Sequence, residues 1–308
     1  MGGYLAKRLL ELGVEVTGLV RTVKAVCPLS LYKLQDRVNI VRGSVTDMEL
    51  IVDTFANFEV DTVFHLASFS KVKVCHQSPY ACFESNVRGG YTIMEACRRA
   101  GIEKVVVAST DKVYRDKDRE CQEDMAIGGV IPYTASKSCL DQIAQCYAHT
   151  YQTPVVITRC CNIYGGGDMN FNRLIPSKIR DAILNRPMTL YAGREHVVQE
   201  YIHISDAVAA YLLLAEKGEN GQVYNVGSGE VHGATDIVSR IMRRAGRYQD
   251  LPASVGKTFK EPQGLWVNSS KIHGLGFKAT VGIDKGLDRA FSWYCQWCDK
   301  GVADAVVY

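Results

Sequence analysis

Two residues in the stretch PYTASK, Tyr133 and Lys137, stand one helical turn apart, so on a helix their side chains share a face. An ammonium beside a phenol favours the phenolate, which makes Tyr133 a candidate general base and Lys137 its activator. One strand earlier, VVVASTDKVY sets Ser109, Thr110, Asp111 and Lys112 just past a buried apolar run, where side chains enter a cleft. A hydroxyl there can hydrogen-bond a substrate alcohol, and Asp111 with Lys112 supplies an acid–base pair. Taken alone, Tyr-x-x-x-Lys is common on solvated helices and STDK is an ordinary polar turn. The strand-end threonine followed by the tyrosine–lysine helix is far more specific than either piece.

These groups need a scaffold, and the chain supplies a rhythm of short apolar strands and amphipathic helices. VEVTGLV, VNIVRG, VDTVFHLA, KVVVAST and TPVVITRC read as strands. Between them GGYLAKRLLELG, DMELIVDTFANF, CFESNVRGGYTIMEACRRAG and ASKSCLDQIAQCYAHTYQ read as helices. Buried strands alternating with helices predict an α/β fold with a doubly wound, Rossmann-like parallel sheet covered on both faces. After Cys160 the rhythm changes to a glycine-rich loop, NIYGGGDMNF, a helix near RLIPSKIRDAIL, and shorter mixed elements. The expected organisation is a dinucleotide-binding part over 1–160, joined by about 197–228, and a smaller interleaved substrate lobe within 161–308.

Composition narrows the function classes. The 308 residues carry a net charge of +3 and 22% charged residues, with no Lys/Arg run to suggest nucleic acid. No apolar run approaches membrane-spanning length, so no membrane partner is expected. The 11 cysteines are scattered and lie mostly in apolar patterns, the usage expected of reduced thiols in a cytoplasmic protein. Cys295-x-x-Cys298 lacks a second pair, and no metal site is expected there.

With these residues in hand, the chain resembles the extended short-chain dehydrogenases/reductases of the nucleotide-sugar epimerase/dehydratase group over nearly its full length. The likeness runs through VFHLAS, SPYACFESNVRGGYTIMEAC, STDKVY, YTASK, TRCCNIYGGGDMNFNRLIP, EYIHISDAVAAYLLL and VYNVGSG. Asp111-Lys112 after Thr110 is most similar to CDP-glucose 4,6-dehydratases, whereas 4-epimerases tend to carry small residues there. The resemblance implies a nucleotide-sugar substrate, a bound NAD or NADP, and a homodimer formed through the helices near 86–97 and 133–137. It implies that Tyr133, aided by Thr110 and Lys137, takes the C4 hydroxyl proton while hydride leaves C4. Asp111 would then protonate the departing C6 hydroxyl, with Lys112 either the C5 base or an electrostatic stabiliser. Cofactor contacts would come from Gly2, Ser44, Val45, Leu66, Ala67, Ser68, Asn86, Tyr133, Lys137 and Ile163, and substrate contacts from Asn162, Asn170, Arg173 and Gln199. Arg21, with Thr22 and Lys24, ends the second strand of the pattern without a carboxylate, which leans to NADP, while the family leans to NAD.

Two departures stand out. Gln199 and Glu200 occupy positions where the family carries Arg and Asp, so the diphosphate would lose a charge that Arg194, His196, Arg173 or Lys260 would have to supply. The chain also opens on MGGYLAKRLL, with Gly2 matching the last glycine of a Gly-x-x-Gly-x-x-Gly turn and no strand before it. The expectations are an upstream start or a truncated, inactive product, a sheet with its first strand missing, and weak dinucleotide binding by the chain as written.

Overall fold

A computed structural model of the chain describes residues 1–23, 27–195, 197–247, 253–255 and 264–298. Its strands are β1 Thr17–Val20, β2 Asn39–Arg42, β3 Thr62–His65, β4 Lys104–Ala108, β5 Glu120–Cys121, β6 Val155–Cys160 and β7 Asn162–Tyr164. They continue with β8 Thr189–Tyr191, β9 Val198–His203, β10 Val223–Val226, β11 Val231–Gly233, β12 Ala253–Val255 and β13 Gly264–Val267. The central sheet runs β10-β6-β4-β3, parallel throughout.

Its β-branched runs are buried on both sides, as the parallel pattern requires. Val105 and Val107 of β4 pack against the helices Met48–Asn57, Gly89–Ala100 and Pro132–Tyr151. Val106, one residue out of phase, faces the opposite side with Ala207, Ala210 and Leu214 of the helix Ile204–Lys217. That alternation is the period-two signature of a strand sandwiched between two helical layers.

The sheet breaks where the sequence pattern had no first strand. β1 and β2 pair with each other in a separate parallel sheet, and among the described residues no strand joins β1 to β3. The helix Gly2–Glu11 packs instead through Leu5 on Ile204 and Val208. The remaining strands form a second sheet, β11-β9-β13-β5 with β7 also on β9, and a separate two-stranded sheet, β12-β8. Its core gathers Ile175, Ile179, Tyr201, Ile237, Ile241 and Leu287.

One helix departs from expectation. The run CFESNVRGGYTIMEACRRAG is not continuous: a π-helical turn, Glu84–Arg88, interrupts it before Gly89–Ala100. Asn86 at the centre of that turn accepts from the Phe69 amide at 2.6 Å and donates to Ser136 Oγ at 2.9 Å. The two glycines that follow are sites of close approach. A Cβ on Gly89 would come within 2.5 Å of Val45 Cγ2, and one on Gly90 within 2.5 Å of Leu140 Cδ1.

Candidate active site

The chain leaves β4 at Ala108, and the next three residues are held in a tight polar turn. Thr110 caps the 3-10 turn Asp111–Val113, its Oγ1 accepting from the Lys112 amide at 3.4 Å and donating to Asp111 Oδ1 at 2.9 Å. Asp111 is fully buried. Its Oδ1 also takes the Lys112 ammonium at 3.1 Å, while Oδ2 has no hydrogen-bond partner among the described residues. A buried carboxylate oxygen left without a donor is costly unless it serves a ligand or carries a proton.

The helix Pro132–Tyr151 starts with proline at its first turn, where the missing N–H costs nothing. It brings Tyr133 and Lys137 to the same corner. The Tyr133 phenol lies close enough to Thr110, Asp111 and Lys112 for each to act on its charge. Burial pushes the phenol's pKa up, with Lys112 pulling it down, Asp111 pushing it up and Thr110 pulling it down. Lys112 is thus a second cation beside the phenol, in addition to the Lys137 expected from spacing. Lys137 is bonded to the Ala108 carbonyl, and burial brings its ammonium down to about 8 against the opposing pull of Asp141. Sharing a helical face does not stop a lysine from reaching a carbonyl on the strand below.

Lys112 stays an ammonium. Burial pulls its pKa down, but Asp111 and Tyr133 outweigh it and the net direction is upward. The same ammonium donates to Asn162 Oδ1 at 2.9 Å.

Behind these groups lies a network that sequence reasoning did not find. Ser109 Oγ donates to Asp141 Oδ2 at 2.6 Å, and Arg159 grips the same carboxylate through Nε and a terminal nitrogen, each at 3.0 Å. Asp141 lies four residues beyond Lys137 on the same helix, which was the one signal available.

The candidate cofactor residues divide between the two sheets. Leu66, Ala67 and Ser68 leave β3, and Ser68 Oγ donates to Asn86 Oδ1 at 3.2 Å. Leu66 and Ile163 share a cluster, and a Cβ on Gly2 would sit 3.9 Å from Leu66 Cδ1, so the helix Gly2–Glu11 starts beside the β3 exit. Arg21 and the Ser44–Val45 turn belong to the β1–β2 side; Arg21 is exposed, and Ser44 Oγ pairs with Thr46 Oγ1 at 2.8 Å. The first amides of the helix Gly2–Glu11, beside the β3 exit, are donors that would suit a dinucleotide, whereas Ser68 spends its donor on Asn86, and Asn86 its own on Ser136 and Phe69. Lys24, His196 and Lys260 lie outside the described residues.

Of the four candidate substrate residues, only Gln199 lines the cavity of about 310 Å³ between the helix Leu174–Ile183 and the strands β8 and β9. Phe171, Lys178, Arg180, Tyr191 and Arg194 line it too. Arg173 pairs with Asp168 at 2.9 Å, and the Asn170 side chain accepts from the Asn172 amide at 3.4 Å. Lys178 and Arg180 converge on Asp181, at 3.2 and 3.0 Å. Among the described residues no group of three or more His, Cys, Asp or Glu side chains could hold a metal ion, and no helix is long and apolar enough to cross a membrane. The Cys298 side chain lies outside that description.

The sequence profile of the NAD dependent epimerase/dehydratase family matches residues 1–227. A probable dTDP-glucose 4,6-dehydratase of Sinorhizobium fredii is 28% identical, covering 99% of this chain and 93% of its own. Against a longer trifunctional relative from Arabidopsis thaliana, the chain spans 39% of that protein's length. Among solved structures, a double mutant of the dTDP-glucose 4,6-dehydratase DesIV of Streptomyces venezuelae, with NAD bound, superposes with a TM-score of 0.90 at 26% identity, covering 99% of this chain and 96% of that one. The UDP-glucose 4-epimerase of Thermus thermophilus, also with NAD, gives 0.83 at 26% identity over 96% of this chain and 95% of that one.

Proposed function

The chain belongs to the NAD dependent epimerase/dehydratase family, and from that premise we propose that it is a nucleotide-sugar 4,6-dehydratase. The observation that carries the reading is Asp111: fully buried, one oxygen held by Thr110 and Lys112, the other without a partner among the described residues. An elimination needs a proton delivered to a departing hydroxyl, and Asp111 Oδ2 is an atom that can deliver it. A 4-epimerase has no use for such a group. The epimerase reading is kept second because an epimerase of equal sequence identity shares the fold.

NAD is the cofactor this reading assigns, supported by the family and by the NAD-bound neighbours. Gly2, Leu66, Ala67, Ser68, Asn86 and Ile163 would hold it, with Arg21, Ser44 and Val45 at the adenosine end, and when bound it accepts a hydride from the sugar and returns it. The chain's own residues handle protons and charge. Tyr133 receives the C4 hydroxyl proton, aided by the neighbouring Thr110. Lys137, seated on the Ala108 carbonyl, holds the helix start against the strand exit. Lys112 either takes the C5 proton after giving up its own or stays an ammonium that stabilises the developing charge, and its contacts to Asp111 and Asn162 favour the ammonium at rest. Asn170, Arg173 and Gln199 bind the substrate, and Asn162, its amide spent on Lys112, the Glu200 carbonyl and Gln199, positions them. A homodimer through the helices Gly89–Ala100 and Pro132–Tyr151 belongs to the same reading, supported by the exposed Phe83 and Tyr91 beside them.

The deciding experiment incubates the chain with NAD and with CDP-, UDP-, GDP- and dTDP-hexoses. A 4-keto-6-deoxy product is expected. An epimerised sugar without a ketone would overturn the dehydratase reading in favour of the second.

A further inference from the structure

Gln199 lines the cavity and also meets Asn162. Which end of its amide faces the cavity follows from a chain of polarity. The Lys112 ammonium can only donate, and Asn162 receives it at Oδ1. At its other end Asn162 Nδ2 meets the Glu200 carbonyl, which can only accept, at 3.1 Å. Two partners of fixed polarity orient that amide. Its remaining N–H points to Gln199 at 3.3 Å and requires an acceptor, so the atom of Gln199 placed there is Oε1. The Tyr201 hydroxyl donates to the same oxygen at 3.5 Å. Nε2, with two protons, is the end left over.

We propose that Gln199 is a one-way donor: polarity imposed by Lys112 and the Glu200 carbonyl, and passed through Asn162, turns its Nε2 group to the cavity, where it selects an oxygen acceptor, a phosphate of a nucleoside diphosphate. The ligand's identity rests on the nucleotide-sugar reading, whereas the polarity rests on hydrogen bonds within the chain. The relay makes Gln199 a specificity-determining residue and Asn162 a positioning residue. It also ties occupancy of the cavity to the Lys112–Asp111 pair, since both ends share one amide. A cation at position 199 would face the Lys112 ammonium across that amide, and a neutral donor avoids the repulsion.

Two measurements on the full chain test this. The first needs no ligand. Asn162→Asp puts an acceptor where the N–H faced Gln199, so Gln199 turns Nε2 inward. Its side-chain NH2 resonances, identified by their loss in Gln199→Met, are expected to move in a ¹⁵N–¹H spectrum. Unmoved resonances overturn the proposal.

The second titrates UDP, CDP, GDP and dTDP calorimetrically in about 0.5 M NaCl, which screens added charge. For whichever binds, Asn162→Asp is expected to weaken affinity about tenfold in the wild-type chain and at most about threefold when residue 199 is already methionine. Equal losses in the two backgrounds overturn the relay. Gln199→Glu, nearly isosteric and able to keep Oε1 on Asn162, is expected to lose more affinity than Gln199→Met, and an equal loss counts against the proposal in the same way. A wild-type chain that binds none of the four defeats the nucleotide-sugar reading, and the amide spectra still decide the polarity.

Discussion

Replacing Asp141 by asparagine is expected to cost far more stability than its small change of volume suggests. The carboxylate is fully buried, and Arg159 opposite it is 2% exposed. Three side chains donate to it: Ser109 at 2.6 Å, Gln145 at 2.7 Å and the Arg159 guanidinium through two contacts at 3.0 Å. The substituted amide would present an N–H₂ to one of these donors and leave the guanidinium buried without its counter-ion. Removing one partner of a buried pair costs about 3–5 kcal/mol, against a total of about 5–15 kcal/mol for a domain. Exchanging both partners for apolar residues, Asp141→Leu with Arg159→Met, removes the stranded charge and is expected to cost about 2 kcal/mol or less. Urea unfolding followed by circular dichroism measures both, with an unchanged denaturant slope as the check that one transition is compared. A single-variant loss below about 1 kcal/mol, or a double variant as unstable as the single, would refute the reasoning.

Four other predictions follow from the same geometry. Asp111→Asn keeps an acceptor for Thr110 and Lys112 but cannot deliver a proton from the second position. Dehydration is expected to slow by about 10²–10⁴-fold with substrate affinity little changed, and a loss under about threefold in kcat would remove Asp111 from the mechanism. Because burial brings Lys137 down to about 8, turnover is expected to decline above that pH as the ammonium facing Asp141, Cys82 and His65 is lost; a flat profile to about pH 10 would show that its charge is not needed. His65 is buried with Nε2 unpartnered, and burial, then Lys137, brings its pKa down to about 3. The unfolded chain binds that proton more readily, so stability is intact above the unfolded value near 6.5 and falls with falling pH. At about pH 5 the loss from this residue is about 2 kcal/mol, and His65→Gln should flatten the difference in urea midpoint between about pH 7.5 and pH 5 by that amount. Finally, NAD is expected to bind more weakly than micromolar, since a dinucleotide would span two sheets that share no backbone ladder; a dissociation constant on the order of 1 μM by calorimetry would refute it.

What the sequence made legible is what repeats or sits close along the chain. Val105 to Val107 announce a strand buried on both faces, and the structure places them in two different helical cores. Thr110 and Tyr133 come together because a strand exit and a helix start in an alternating α/β pattern must face one cleft. Spacing, however, says which residues share a face and not which acceptor they choose, so Lys137 on the Ala108 carbonyl and Lys112 beside Tyr133 were out of reach. The Asp141–Arg159 pair joins a helix to a strand with no periodic signal between them. The π-helical turn was hidden for a related reason. Its cause is Asn86 reaching across to Phe69 and Ser136, a tertiary contact that local propensity cannot register.

On the proposed reading, the division between the sheets sets the adenosine end of the cofactor site apart from the chemistry. Thr110, Asp111, Lys112, Tyr133 and Lys137 all hang on β4 and the helix packed over it, within the four-stranded sheet. Asn162 and Gln199 join them through β7 and β9, which are hydrogen-bonded to each other. Only Arg21, Ser44 and Val45 depend on the β1–β2 pair. On the proposed reading, a perturbation of β1 or β2 would act on how tightly the adenosine end is held and would leave Thr110, Asp111, Tyr133 and Lys137 on β4 and its helix in place. If the proposed function holds, affinity for the dinucleotide and the rate of the step at the sugar should be separable, and Asp111→Asn and the NAD titration would then probe different halves of one site.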